Sequence, residues 1–312
     1  LISAHGWSRV RRWAFLFVPL VGIVELILHF YFAGRPPAYK EWDDLRLPIA
    51  AEKRPGELIV VAPSWADPLA RRALGDELMP LRDEARPDES PYRSALEISI
   101  LDQRAAELSG WREESSRKLG KFTLRRLINP APAHVVFDFV DHARPPTLDV
   151  RGTSPPMVCA WNPNARAVSG GLGGHPTFPR ERFECPAGLF FNVGVTVIAD
   201  EEFRPRRCLW AHPLQQGELA ARFHDVPLGR VIRGHGGMYW MIERERKGAP
   251  VTLTVRVDGE TIGHFTHHDG DGFRAFELPL GPHAGKERAE VEFAVTTSNY
   301  QARHFCFEAD TR

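Results

Sequence analysis

The sequence predicts a mainly β protein: one N-terminal transmembrane helix, then a β-rich extracytoplasmic region that ends in a jelly-roll-like sandwich. Three observations carry this. One apolar run near the N-terminus has the length of a bilayer core. Short β-branched and aromatic runs, divided by Gly, Pro, Asn and Asp, fill most of the chain beyond it. All four cysteines lie beyond the apolar run, in the number that an oxidising compartment uses for bridges. With 312 residues, 43% of them hydrophobic, the chain can bury one large core or two moderate ones. Forty Lys plus Arg balance forty Asp plus Glu and no long basic run occurs, which argues against nucleic acid as a partner.

From the amino end, residues 1–12 form a basic tail with Arg9, Arg11 and Arg12, and residues 13–33 form the span, "WAFLFVPLVGIVELILHFYF" over Trp13 to Phe32. Aromatic residues stand at both of its ends, as in an interfacial belt. The flanking arginines orient it across a bacterial inner membrane, amino end cytoplasmic and the bulk of the chain periplasmic. Residues 34–56, rich in Pro and charge, read as an extended tether rather than a helix.

A β-rich module covers 57–151, starting with the strand "ELIVVAPSW" and a short helix from Asp67, and continuing through "ALEISIL", "GKFTLRRLI", "AHVVFDFV" and "PTLDVRG". Residues 152–186 are dense in Gly and Pro and read as a junction. Residues 187–312 carry about eight runs with turn residues between them, the rhythm of a sandwich. In "VTLTVRVDGETIGHF", Val251, Leu253, Val255 and Val257 alternate with polar residues and Asp258-Gly259 supplies a two-residue hairpin turn. The expected bridges are Cys208 with Cys306, both in strand-like runs, and Cys159 with Cys185, which bracket one loop.

The C-terminal part resembles galactose-binding-like jelly-roll modules, through "LGRVIRGHGGMYW", "PVTLTVRVDGETIG" and the closing "RHFCFEA". That resemblance implies a binding fold. "LILHFYF", Leu26 to Phe32, is similar to the span of light-harvesting polypeptides of photosynthetic bacteria, in which a histidine holds the magnesium of bacteriochlorophyll. It implies His29 as the pigment ligand, although Glu25 stands where that family has a small residue.

Two groups of ionisable residues invite function. Glu25 and His29 lie four apart on one helical face, where a charge at the bilayer centre costs ~2.5–3.5 kcal/mol. Facing a partner helix offsets that cost, as does hydrogen bonding to each other. An interfacial imidazole at His29 is the bland alternative. The stretch "GHFTHHDGDGF" holds His264, His267, His268, Asp269 and Asp271. By the two-residue strand period His264, Thr266 and His268 share one face and Phe265 and His267 the other, so this reads as a polar hairpin. A calcium or sugar-binding loop is the alternative reading, without the third acid and bidentate Glu of a usual calcium loop. His212, His224, His235 and His304 lie in the same module. "GGLGGH", Gly170 to His175, reads as a flexible loop, and Ser64 as a turn serine. No H-E-x-x-H, G-x-S-x-G or phosphate-loop spacing occurs.

These readings favour a non-catalytic accessory subunit that docks on integral membrane subunits of a larger assembly such as a photosynthetic reaction-centre complex, with Glu25 and His29 facing the partner. The rival is an anchored carbohydrate-binding module, or a glycan-processing accessory, with Trp161, Trp210, Tyr239 and Trp240 as sugar platforms.

Overall fold

The computed structural model describes the backbone of residues 4–33, 36–168, 170 and 177–312, and the side chains of the first helix from Phe17 to Phe32. Most of the glycine loop, Gly171 to His175, lies outside the described residues, as do the side chains of Arg9, Arg11 and Arg12. Two compact units emerge. Unit 1 comprises 1–80 and 92–131, and unit 2 comprises 81–91 and 132–312. The expected junction at 152–186 falls within unit 2.

Unit 1 begins with helix α1, Ala4–Ala33, which contains Pro19. No helix among the described residues is long and apolar enough to cross a membrane, which corrects the expected transmembrane span. The described side chains of α1 run from Phe17 to Phe32 and are mostly apolar. Glu25 and His29 interrupt them. The single-pass inner-membrane placement rested on that span and is corrected with it.

Where an extended tether is expected, the chain forms two short helices, α2 (Tyr39–Asp43) and α3 (Arg46–Glu52). Trp42, Leu45 and Ile49 recur at helical spacing and are all buried. Pro48 sits in the first turn of α3, where a missing N–H costs no intrahelical bond. Strand β1 (Leu58–Ala62) precedes α4 (Asp67–Leu74), whose Ala70, Ala73 and Leu74 are buried. Then come β2 (Ser94–Ile100), β3 (Arg112–Leu119) and β4 (Phe122–Ile128), giving a four-stranded sheet in the order β1-β2-β4-β3 with β1 and β2 parallel. One face packs Ile59, Val61, Leu96, Ile98 and Leu124 against Trp42, Ile49 and Leu74. The other buries Leu58, Val60 and Leu127.

Unit 2 contains the short helix α5 (Leu81–Glu84) and strands β5 (Phe137–Asp138), β6 (Leu148–Thr153), β7 (Pro156–Asn162), β8 (Arg182–Glu184), β9 (Asn192–Ala199), β10 (Pro205–Ala211), β11 (Leu219–Val226) and β12 (Val231–Met238). Helix α6 (Trp240–Glu245) leads to β13 (Val251–Val257), β14 (Glu260–His267), β15 (Arg274–Pro279), β16 (Ala289–Thr297) and β17 (Phe305–Thr311). They pair in the order β14-β13-β16-β11-β6-β7-β8-β9-β10-β17-β12-β15, with β5 beside β17. Strand β7 joins the two halves, because it pairs with β6 on one edge and β8 on the other. The halves enclose one core in which Val251, Leu253, Val255 and Val257 of β13 and Phe293 of β16 cluster with Phe305, Phe307 and Ala309 of β17. Phe293 bridges them, 5.0 Å from Phe307 and 4.8 Å from Phe139 between ring centroids. This is the mainly β sandwich that the strand rhythm predicts.

The β13–β14 hairpin turns at Asp258-Gly259, both with positive φ (51° and 84°), as a two-residue type I′ turn requires. Both bridges form as expected: Cys159–Cys185 and Cys208–Cys306. The second ties β10 to β17. Two disulfides fit an extracellular or secreted protein.

Candidate functional site

Glu25 and His29 stand one turn apart on α1, both exposed, with the His29 ring edge-on to Phe30. The histidine-rich stretch is divided by its strand. Alternation along β14 turns Phe265 and His267 into the core and leaves His264 outside, with its Nδ1 3.1 Å from Thr254 Oγ1. The fully buried His267 puts Nε2 2.6 Å from Oε1 of Glu243 on α6, and neither ring nitrogen makes a hydrogen bond. Glu243 also accepts the backbone N–H of Met238 (2.8 Å) and of Gly270 (2.7 Å).

Asp269 faces Arg303, which is 2.5 Å away and as deeply buried, and accepts the N–H groups of Lys247 and Gly248. The Arg303 guanidinium lies so close to Gly248 that a Cβ there would sit 1.7 Å from its carbon, so only glycine fits. Asp271 accepts the N–H of His268 (3.1 Å); burial pushes its carboxyl up, but that hydrogen bond and then the Arg274 charge in front of it hold it below the ordinary range. The loop is therefore bonded to α6 and to the segment before β17. Among the described residues no three His, Cys, Asp or Glu side chains stand close enough to hold a metal ion.

The four histidines His212, His224, His235 and His304 fall at three places. His224 Nε2 meets Asp149 at 2.7 Å. His235 Nδ1 meets Glu308 at 2.6 Å, a buried pair between β12 and β17, and burial pushes the Glu308 carboxyl up to about 7. His212 and His304 are buried among Phe190 and Trp210, their ring centroids 5.9 Å apart. Burial lowers His212 to about 4 and nearby Arg303 adds to this, opposed by the hydrogen bond from its ring to Pro213 O.

Of the four aromatic platforms, Trp210 and Tyr239 are buried. Trp240 is half-buried, with Phe203 5.1 Å away and the Arg244 guanidinium 5.3 Å from its ring. Trp161 is also half-buried and lines a cleft of about 340 Å³ in unit 2, at the small end of the range for small-molecule sites. Strand β7 places its indole against Phe183 of β8, centroids 4.9 Å apart. Val140, Pro179 and Val195 add apolar wall, while Asp141, Arg144, Arg180, Glu181 and Arg207 supply polar edges.

Asp141 and the segment carrying Arg180 and Glu181 are held from beneath. The Asp138 carboxylate accepts the N–H of Val140 and of Asp141, which fixes the turn after β5. Burial raises that carboxyl, and the Asp141 charge raises it further. Asp141 bridges Arg82 (2.5 Å) and Arg207 (2.9 Å). On the opposite wall the buried Arg182 donates to Pro179 O, Arg166 O and Glu184, pinning the segment that carries Arg180 and Glu181. Gly194 of β9 lets it approach, since a Cβ would come within 2.8 Å of Arg182 Cβ. Trp161 is the cleft residue that the sequence singles out. The five charged ones share no spacing motif and come from three separate stretches of chain.

No family model matches the sequence and no curated protein does either. Solved structures similar to the chain include the CBM51 of Clostridium perfringens GH95 in complex with methyl-galactose (11% identity, 38% of this chain and 81% of that one, TM-score 0.27). TmCBM61 in complex with β-1,4-galactotriose is another (9% identity, 57% and 95%, TM-score 0.26). A third is the CBM36-1 domain of a xylanase from the hindgut metagenome of Trinervitermes trinervoides (13% identity, 34% and 75%, TM-score 0.21). These three solved structures are carbohydrate-binding modules. The light-harvesting resemblance, and with it photosynthesis, bacteriochlorophyll at His29 and integral membrane partners, finds no support. At TM-scores below 0.3 these likenesses assign the chain no ligand.

Proposed function

We propose that unit 2 is a non-catalytic glycan-binding module that takes a sugar in the cleft beside Trp161. One observation carries this reading: a half-buried indole forms an apolar wall among charged groups, of which Asp141 and Arg207 are fixed by ion pairs. A pyranose has a matching shape, with C–H faces that stack on an aromatic ring and hydroxyl edges that bond planar polar side chains. Asp141 is engaged by two guanidinium donors and serves to orient, as its fixed geometry suits recognition without bond breaking.

Calorimetric titration of the full chain with neutral and charged oligosaccharides tests it. Trp161→Ala removes the stacking wall and is expected to weaken binding ~30-fold or more, the loss typical of a central aromatic anchor, with the circular dichroism of the fold unchanged. Equal affinity in Trp161→Ala and the parent would overturn the site.

A further inference from the structure

Resting on that reading of the cleft, we infer that its ligand is an acidic glycan, a sugar bearing a carboxylate, and that Arg144 and Arg180 read the charge. Within the cleft, ion-pair partners set these two apart. Several described arginines elsewhere are paired: Arg222 and Arg256 with Glu292, Arg303 with Asp269, Arg312 with Asp310, Arg126 with Glu57. Within the cleft, Arg207 is paired as well, to Asp141, which Arg82 also holds. Arg144 and Arg180 differ. Both are exposed on the cleft wall, and among the described residues neither has a carboxylate within ion-pair distance, although Glu181 adjoins Arg180 in sequence and lines the same cleft.

Three guanidiniums thus line the cleft against two carboxylates, and one of those two is already held by a pair of arginines. A neutral sugar offers Arg144 and Arg180 only uncharged hydroxyl acceptors. A uronate carboxylate supplies two acceptor oxygens in the plane that a guanidinium's forked donors match, and charge-assisted bonds of this kind are roughly twice as strong as neutral ones.

The test is titration of the full chain with oligogalacturonate and with neutral galacto-oligosaccharide of equal length, each in low and moderate salt. Oligogalacturonate is expected to bind ~10- to 100-fold more tightly, the range of one or two charge-assisted hydrogen bonds, and its advantage shrinks as salt rises. Arg144→Gln with Arg180→Gln should bring the two ligands to within ~3-fold of each other, the acidic one losing more affinity than the neutral one. Glu181→Gln, which removes a like charge from the cleft, should favour the acidic ligand by a further few-fold. Equal binding of both sugars to the parent, or a preference that survives the double substitution, overturns the charge reading and leaves glycan binding standing. Binding of neither sugar, with the fold intact, overturns the glycan reading itself.

Discussion

Replacing His212 by Asn should change how stability responds to acid, and the size of the change is set by its surroundings. His212 lies 4% exposed at the end of β10, with the rings of Phe190, Phe191, Trp210, Tyr300 and His304 around it and the Arg303 cation nearby. Burial moves its ionisation from 6.5 to about 4, so the folded chain resists a proton that the unfolded chain accepts. A depressed value of this kind gives stability that is present above pH 6.5 and is lost as pH falls towards 4. At ~1.4 kcal/mol per pH unit the loss accumulates to ~3 kcal/mol over that window. Asn cannot titrate and retains a donor for Pro213 O, so its own cost, ~1–2 kcal/mol of lost ring packing, should not depend on pH. Urea unfolding of both proteins from pH 8 to pH 4, read through amide exchange in β10 and β17, measures the gap. The parent should be the more stable at pH 8 and the Asn variant at pH 4. A gap constant within ~0.5 kcal/mol across the range would refute the claim that buried His212 is held neutral.

Glu308 titrates in the opposite sense: its carboxyl is raised to about 7 by burial, so its contribution is whole below pH 4.5 and is lost as pH rises through 7. Glu308→Gln should therefore gain on the parent between pH 5 and pH 8 in the same unfolding series, and a gap that does not move would count against a buried acid there. Asp269→Asn strands the buried Arg303 and is expected to cost ~3–5 kcal/mol, whereas the exposed His268→Ala should stay within ~0.5 kcal/mol; similar losses for both would remove the clamp from the loop. Opening the 98-residue Cys208–Cys306 separation by paired Ser substitution should cost ~4.7 kcal/mol and the 26-residue Cys159–Cys185 separation ~3.5 kcal/mol by loop entropy, so the reverse order of denaturation midpoints would contradict that account.

The sandwich was legible because its strands obey the two-residue period. Val251 to Val257 alternate inward, Asp258-Gly259 can take two positive φ angles, and Cys208 and Cys306 fall in strands that prove to be neighbours. Strand β3 was not legible: all but its last residue are exposed and polar, "REESSRKL", and it gains its hydrogen bonds as an edge beside β4. Helices α2 and α3 were hidden for a different reason. Pro36, Pro37 and Pro48 read as breakers, while the burial of Trp42, Leu45 and Ile49 against the sheet overrode them. The cleft fared similarly. Trp161 is conspicuous as a residue type, but Asp141, Arg144, Glu181 and Arg207 meet only after β5 through β10 have paired.

The densest polar sequence and the best candidate site therefore lie in different places, for one physical reason. A histidine or carboxylate that enters a core must be matched by a partner, because unpaired burial costs several kcal/mol. Asp269 and Glu243 meet that demand within the protein, Asp269 with Arg303 and both by capping backbone N–H groups, so little remains with which to grip a ligand. Recognition needs the reverse: an apolar wall left partly open, and donors whose partners the protein does not supply. Trp161 meets the first condition and Arg144 with Arg180 the second, on one cleft whose other charges are already matched or pinned. The clustering of "HTHHDGDG" in sequence measured how much charge one turn had to neutralise, and the scattered residues around Trp161 are where charge was left over.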